Sequence, residues 1–256
     1  MEVTDDQIVH LVSIYAWPFL RIAAFLFALP IISSGIIPIY IKIGLAMFIT
    51  VLIVPVIPGA PSVEVLSVNG LVIAGFQIII GLALGFLVKI VFSALETGGY
   101  VIGQTMGLGF AQMNDPANGI TVPVISQFYT VMATLIFLIM NGHLIMIDVL
   151  VNSFTIIPIN YNSELNDGIW HLILWSGWIF TGAVLIALPA VGALLLVNIA
   201  FGVMMRAAPQ LNIFTIGFPI TLMLGLLFIM LTLPVFATQF IDLLDNTVIT
   251  ASGMFS

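Results

Sequence analysis

The sequence predicts an all-α, polytopic membrane-associated protein built from long, broken helices and hairpins. Three observations predict it. Charged residues make up 6% of the 256 positions and apolar residues 62%, whereas an average soluble domain is about 25% charged. The runs 36–57, 71–88, 128–140, 170–200 and 214–240 hold few ionisable groups, and roughly 20 apolar residues cross a bilayer core of about 30 Å. These runs are long and unbroken rather than alternating segments of about ten residues, so helices rather than a barrel satisfy the backbone in lipid.

Punctuation divides the chain into six helical regions. The first runs from about Gln7 to Leu29 and ends at Pro30. Its leader, MEVTDD, is acidic and lacks the basic start of a cleaved signal, so this segment is expected to stay. Arg21 lies inside it and requires a partner, such as a Glu or Asp of another chain. The second region runs from about Ile36 to Ile57, closed by VPVIPGAP.

The third begins near Val65 and stays apolar past Ala94. Gly81 and Gly85 stand four apart in it, and Gly99, Gly103 and Gly107 form a second set at four-residue spacing. Such faces let a second backbone approach closely. That backbone belongs either to the same chain or to a partner subunit, and periodicity does not separate the two. Lys89 and Glu96 are seven apart and share a helix face. An unpaired charge in a membrane costs several kcal/mol, so Arg21, Lys89 and Glu96 are expected to be paired, mutually or across subunits.

The fourth region runs from Pro123 to Ile157, the fifth from Gly168 to Met205 and the sixth from Ile213 to about Leu244. At 1.5 Å per residue, the fourth and fifth would reach about 52 and 57 Å, nearly twice the hydrocarbon thickness. Asn141-Gly142-His143 is expected to interrupt the fourth, and Pro189 the fifth. Either these rods fold back as hairpins, or they pack on other subunits that cover apolar surface. Lys42, Lys89 and Arg206 fall near alternate ends of the spans, which places both termini outside and the Arg206 turn in the cytoplasm.

Several function classes fall away. The net charge of −7 comes from 11 scattered acids, and no basic run suggests nucleic acid. Cysteine is absent. His10, His143 and His171 are far apart and form no metal motif, and nothing in the spacing pairs Asp115, Asp148 and Asp242. No catalytic, metal or cofactor site is expected. A free-standing secondary transporter with a midplane site near Asn141–His143 is the alternative to be weighed.

One stretch breaks the apolar pattern: MGLGFAQMNDPANGI, residues 106–120. Gly107 and Gly109 loosen the backbone. Asn114-Asp115-Pro116 signals a turn. Met106, Phe110 and Met113 add pliable apolar bulk, with Leu108, Ala111 and Gln112 between them. Irregular backbone at membrane depth is tolerated inside protein or beside water. Two readings stay open: a surface loop, or a loop folded into a channel as a seal.

GFAQMNDPANG, FLIMNGHLIMIDVLVNSFTIIP and RAAPQLNIFTIGFPITLMLGL resemble the FliR family of flagellar export-gate proteins, called SctT in injectisomes. The resemblance covers nearly the whole chain. It implies a multi-subunit helical export gate of the bacterial inner membrane, in the flagellar basal body, partly raised toward the periplasm. FliP-like and FliQ-like subunits would be its partners, with FlhB-like and FlhA-like components beside them and unfolded proteins as cargo. It further implies a FliP-like part, residues 1–160, and a FliQ-like hairpin, residues 161–256, whose cytoplasmic tip lies near 204–212 and includes Arg206. By the same resemblance Met106–Asn118 would plug the closed pore, with Phe110 and the two methionines sealing it.

Overall fold

The computed structural model describes residues 5–33, 35, 37–57, 59, 61, 63–65, 67–109, 123–159, 166–207 and 213–253. These residues form α1 (Asp5–Ala28), α2 (Pro30–Ser33), α3 (Ile39–Ile53), α4 (Val68–Thr105), α5 (Val124–Ile139), α6 (Gly142–Ile156), α7 (Asn166–Trp175), α8 (Trp178–Ala207) and α9 (Ile213–Gly253). No strand occurs among the described residues. The all-α membrane fold expected from composition is therefore the fold observed.

Length follows from apolar continuity. α4 has 38 residues and α9 has 41, or about 57 and 62 Å at 1.5 Å per residue. α4, the α7–α8 tract from Gly168 to Ala207, and α9 from Gly217 are each long and apolar enough to span a membrane. Half of the most apolar window of α4 is buried within the chain, at 50%, but only 22% in the other two. Most of the α8 and α9 surface is thus left for lipid or for other protein.

The chain packs as two units that interleave along the sequence. One comprises residues 1–90, 138–176 and 245–256, and the other 91–137 and 177–244. Each unit draws on both sides of the expected 160/161 boundary, and residues 160–165 lie outside the described residues.

In the first unit α1 presents Ser13, Trp17, Arg21, Ile22 and Phe25 as a buried stripe at helical spacing, which Leu29 just past its end continues. α3 packs on α1 and buries only Lys42, Ala46, Thr50 and Ile53. α4 meets α1 through glycine. A Cβ on Gly85 would lie 2.7 Å from the Phe25 carbonyl oxygen, and one on Gly81 would lie 2.9 Å from the Ala24 Cβ. In lipid no strong hydrophobic force joins two helices, so close approach at small residues supplies the dispersion energy.

In the second unit the same device recurs. A Cβ on Gly99 would sit 2.8 Å from the Ser126 Cα, and one on Gly98 would sit 3.1 Å from the Ala183 carbonyl oxygen. Gly103 faces the Ile125 side chain. An aromatic cluster ties α4, α5 and α9. Phe92 meets Phe137 and Phe240 edge-on at 6.0 and 5.9 Å, and Tyr129 meets Phe236 at 4.8 Å.

One expected interruption is met, and other boundaries differ from expectation. The Asn141–His143 break is present: Asn141 takes the left-handed conformation at φ 56°, and the chain bends by 71° between α5 and α6. Pro189, by contrast, does not interrupt its region, since α8 runs through it. Proline removes one backbone donor, and neighbouring structure in an apolar setting tolerates that loss. The irregularity falls instead at Ser176–Gly177, between α7 and α8. Finally, α9 passes Leu244 and ends at Gly253. Its buried stripe of Phe240, Leu243, Leu244, Thr247 and Ala251 keeps helical spacing across the two aspartates.

Candidate functional site

α4 is followed by a buried residue, Met106. Met106 is 1% exposed. Its carbonyl accepts a hydrogen bond from the Thr221 hydroxyl of α9 at 3.3 Å. Its side chain lies over Gly225, where an added Cβ would come within 2.6 Å of Met106 Cγ and Cε. A glycine one turn beyond Thr221 therefore leaves the notch that the thioether fills. Gly107 follows at φ 87°, a backbone that L side chains rarely adopt. Anchor and turn are adjacent. Leu108 and Gly109 are half-buried, and the Gln104 side chain closes over Gly109. Phe110, Ala111, Gln112, Met113, Asn114, Asp115 and Pro116 lie outside the described residues.

Arg21 is fully buried, and its guanidinium fork is met by neutral acceptors. Nε donates to Gln77 Oε1 at 2.8 Å. Nη1 donates to the Ser153 carbonyl at 2.9 Å and the Ser153 hydroxyl at 3.1 Å. Nη2 donates to the Ile157 carbonyl at 2.9 Å. The cation also lies 4.2 Å over the Phe154 ring. Ser153 and Ile157 close the C-terminal end of α6, whose last carbonyls carry the negative end of the helix dipole; the Ser153 carbonyl also accepts the Ile157 N–H at 2.9 Å. A helix end thus does for Arg21 what a carboxylate from another chain was expected to do. Sequence reasoning missed Gln77, Ser153 and Ile157, because two of these acceptors are backbone atoms more than 130 residues away.

Lys89 and Glu96 share one face of α4, and both are exposed. Seven residues are about 10 Å of helix rise, too far for a direct bridge. Gly81, Gly85, Gly99 and Gly103 face other helices of this chain, as described above. Arg206 is exposed in the last turn of α8. Near the α5–α6 break Asn141, His143 and Asp148 are all exposed. Asp148 accepts from Asn152 at 3.1 Å, so it is engaged along its own helix rather than with His143.

An apolar groove lies between α1 and α3. It has a volume of about 510 Å³ and is lined by Val12, Tyr15, Ala16, Phe19, Met47, Thr50 and Val51. A small-molecule site needs a few convergent polar groups. This groove offers almost none, so it does not rival the Met106 root as a functional site.

Long apolar helices and glycine-mediated packing define a polytopic helical membrane protein. Residues 12–247 match the model of the family described as bacterial export proteins, family 1. The chain is 40% identical to the flagellar biosynthetic protein FliR of Escherichia coli K12 over 238 residues, which is 93% of this chain and 90% of that protein. It is 39% identical to FliR of Pectobacterium carotovorum over 89% of this chain and 87% of that protein. With FliR of Bacillus subtilis it shares 30% identity over 88% of this chain and 87% of that protein. The chain belongs to the FliR family.

Proposed function

We propose that the chain is a non-enzymatic, pore-forming subunit of the flagellar type III protein export gate. Unfolded substrates pass through the assembled channel across the bacterial inner membrane. FliP-like and FliQ-like subunits cover the apolar faces that α8 and α9 leave open, and FlhB-like and FlhA-like components join on the cytoplasmic side. Residues 1–160 correspond to the FliP-like part, and residues 161–256 to the FliQ-like hairpin with Arg206 at its tip. Lys89 and Glu96 find their counter-charges in these partners or in water.

In the same reading the segment Met106–Pro116 plugs the closed channel. Met106 holds its root, Gly107 and Gly109 let it yield, and Phe110 and Met113 seal. The supporting observation is the adjacency of a buried anchor at Met106 and a left-handed glycine at Gly107. A segment so mounted has one fixed end and one pivot, as a gate element requires.

Co-purification tests the assembly. The account expects the chain to leave the membrane in a complex with two other small hydrophobic proteins. A stable monomer whose melting temperature responds to a small solute would favour the transporter alternative.

A further inference from the structure

We propose that Ser93, Glu96, Tyr100 and Gln104 of α4, with Asn198 of α8, line the water-filled passage that leads to Met106. This rests on the pore reading above and assigns residues to the wall of that pore. The outward stripe of α4 changes character along its length. It begins with apolar positions such as Leu82 and Phe86, which are 44% and 37% exposed. From Lys89 onward the residues at the same helical spacing are Ser93, Glu96, Tyr100 and Gln104. Glu96, Tyr100 and Gln104 are exposed and Ser93 is half-exposed. The polar part from Ser93 to Gln104 is about 17 Å long.

A carboxylate facing hydrocarbon costs roughly 3 kcal/mol or more, so charges inside spans face protein interiors or water. Among the described residues Glu96 meets no cation. A single counter-charge on a partner subunit would account for Glu96 alone. It would not require each successive stripe position to be polar, and water does.

Asn198 supplies an independent observation. It is the only polar side chain between Gly182 and Met205. Although exposed, its amide donates to the Thr105 carbonyl at 3.4 Å. Thr105 is the last residue of α4, directly before Met106. The one polar side chain of the 182–205 stretch is thus placed where the α4 stripe reaches Met106.

The absence of native cysteine makes the test direct. Single substitutions Glu96→Cys, Tyr100→Cys, Gln104→Cys and Asn198→Cys are made in the full assembly, with Leu82→Cys and Phe86→Cys as controls. Each is combined with deletion of residues 107–114, and ion leak is recorded before and after a membrane-impermeant cationic thiosulfonate. The expected result is a leak in every deleted gate that the reagent abolishes at the four polar positions and leaves unchanged at Leu82 and Phe86. A leak that persists after treatment at all four polar positions overturns the lining while the pore reading stands. No leak in the deleted gate overturns the pore reading, and the lining with it. If Glu96→Cys fails to accumulate, Tyr100, Gln104 and Asn198 carry the same test.

Discussion

Arg21 Nη1 lies 2.9 Å from the carbonyl oxygen of Ser153, so a buried cation on α1 closes the C-terminal end of α6. With Gln77 as a third party, the contact fixes α1, α4 and α6 of one unit against each other. Arg21→Met removes the fork, leaves the Ile157 carbonyl and Gln77 Oε1 bare, and leaves the Ser153 carbonyl with the Ile157 N–H alone. The expected loss is about 2–4 kcal/mol, since bare buried acceptors are costly but lipid lowers the reference cost. Arg21→Lys keeps the charge but not the planar fork, and should fall between the two. Thermal unfolding of the detergent-solubilised protein checks the order; equal stability of all three would refute this role for Arg21.

Glycine positions on α4 differ sharply in what a methyl group would meet. Gly85→Val drives a branched side chain into the Phe25 carbonyl and the Ala28 methyl, and should cost about 3 kcal/mol or more by forcing backbones apart. Gly75→Ala meets nothing within 4 Å and should gain up to about 1 kcal/mol from helix propensity. Melting temperatures of the two variants should move in opposite directions.

Met106 and Gly225 form a matched pair. Gly225→Val occupies the space of the thioether and should expel Met106, raising both closed-state leak and protease sensitivity near residue 107. Met106→Ala alone should cost about 2–3 kcal/mol by emptying the notch. In the double variant valine refills that space, so its cost should be less than the sum of the singles. Strict additivity in a double-mutant cycle would show that the two residues do not share one space.

The turn between α5 and α6 needs a residue that tolerates φ 56°. Asn141→Gly should change stability by no more than about 0.5 kcal/mol, whereas Asn141→Val should lose about 1–2 kcal/mol. The comparison is made by thermal unfolding, and a neutral valine would remove the strain argument.

Much of this architecture was legible in the residues. Asn141-Gly142 marked a true break because the left-handed turn demands those residue types. Pro189 marked a false one, because a missing donor in an apolar helix is tolerated rather than fatal. Ser176-Gly177 carried a usable turn signal that the strong apolar run obscured. The continuation of α9 beyond Leu244 was readable in the spacing of Leu243, Thr247 and Ala251, although the unbroken apolar run gives way to Asp242, Asp245 and Asn246 there. The partners of Arg21 and the Gly225 notch for Met106 were hidden for a different reason. They depend on helices distant in sequence meeting at backbone atoms and at a missing side chain, and neither leaves a local pattern.

The most direct measurement is the closed-state ion conductance of membranes carrying the full assembly, with and without residues 107–114. If this segment stoppers a conduit, its removal raises conductance while the complex still assembles. Unchanged conductance in an intact complex would contradict the gate.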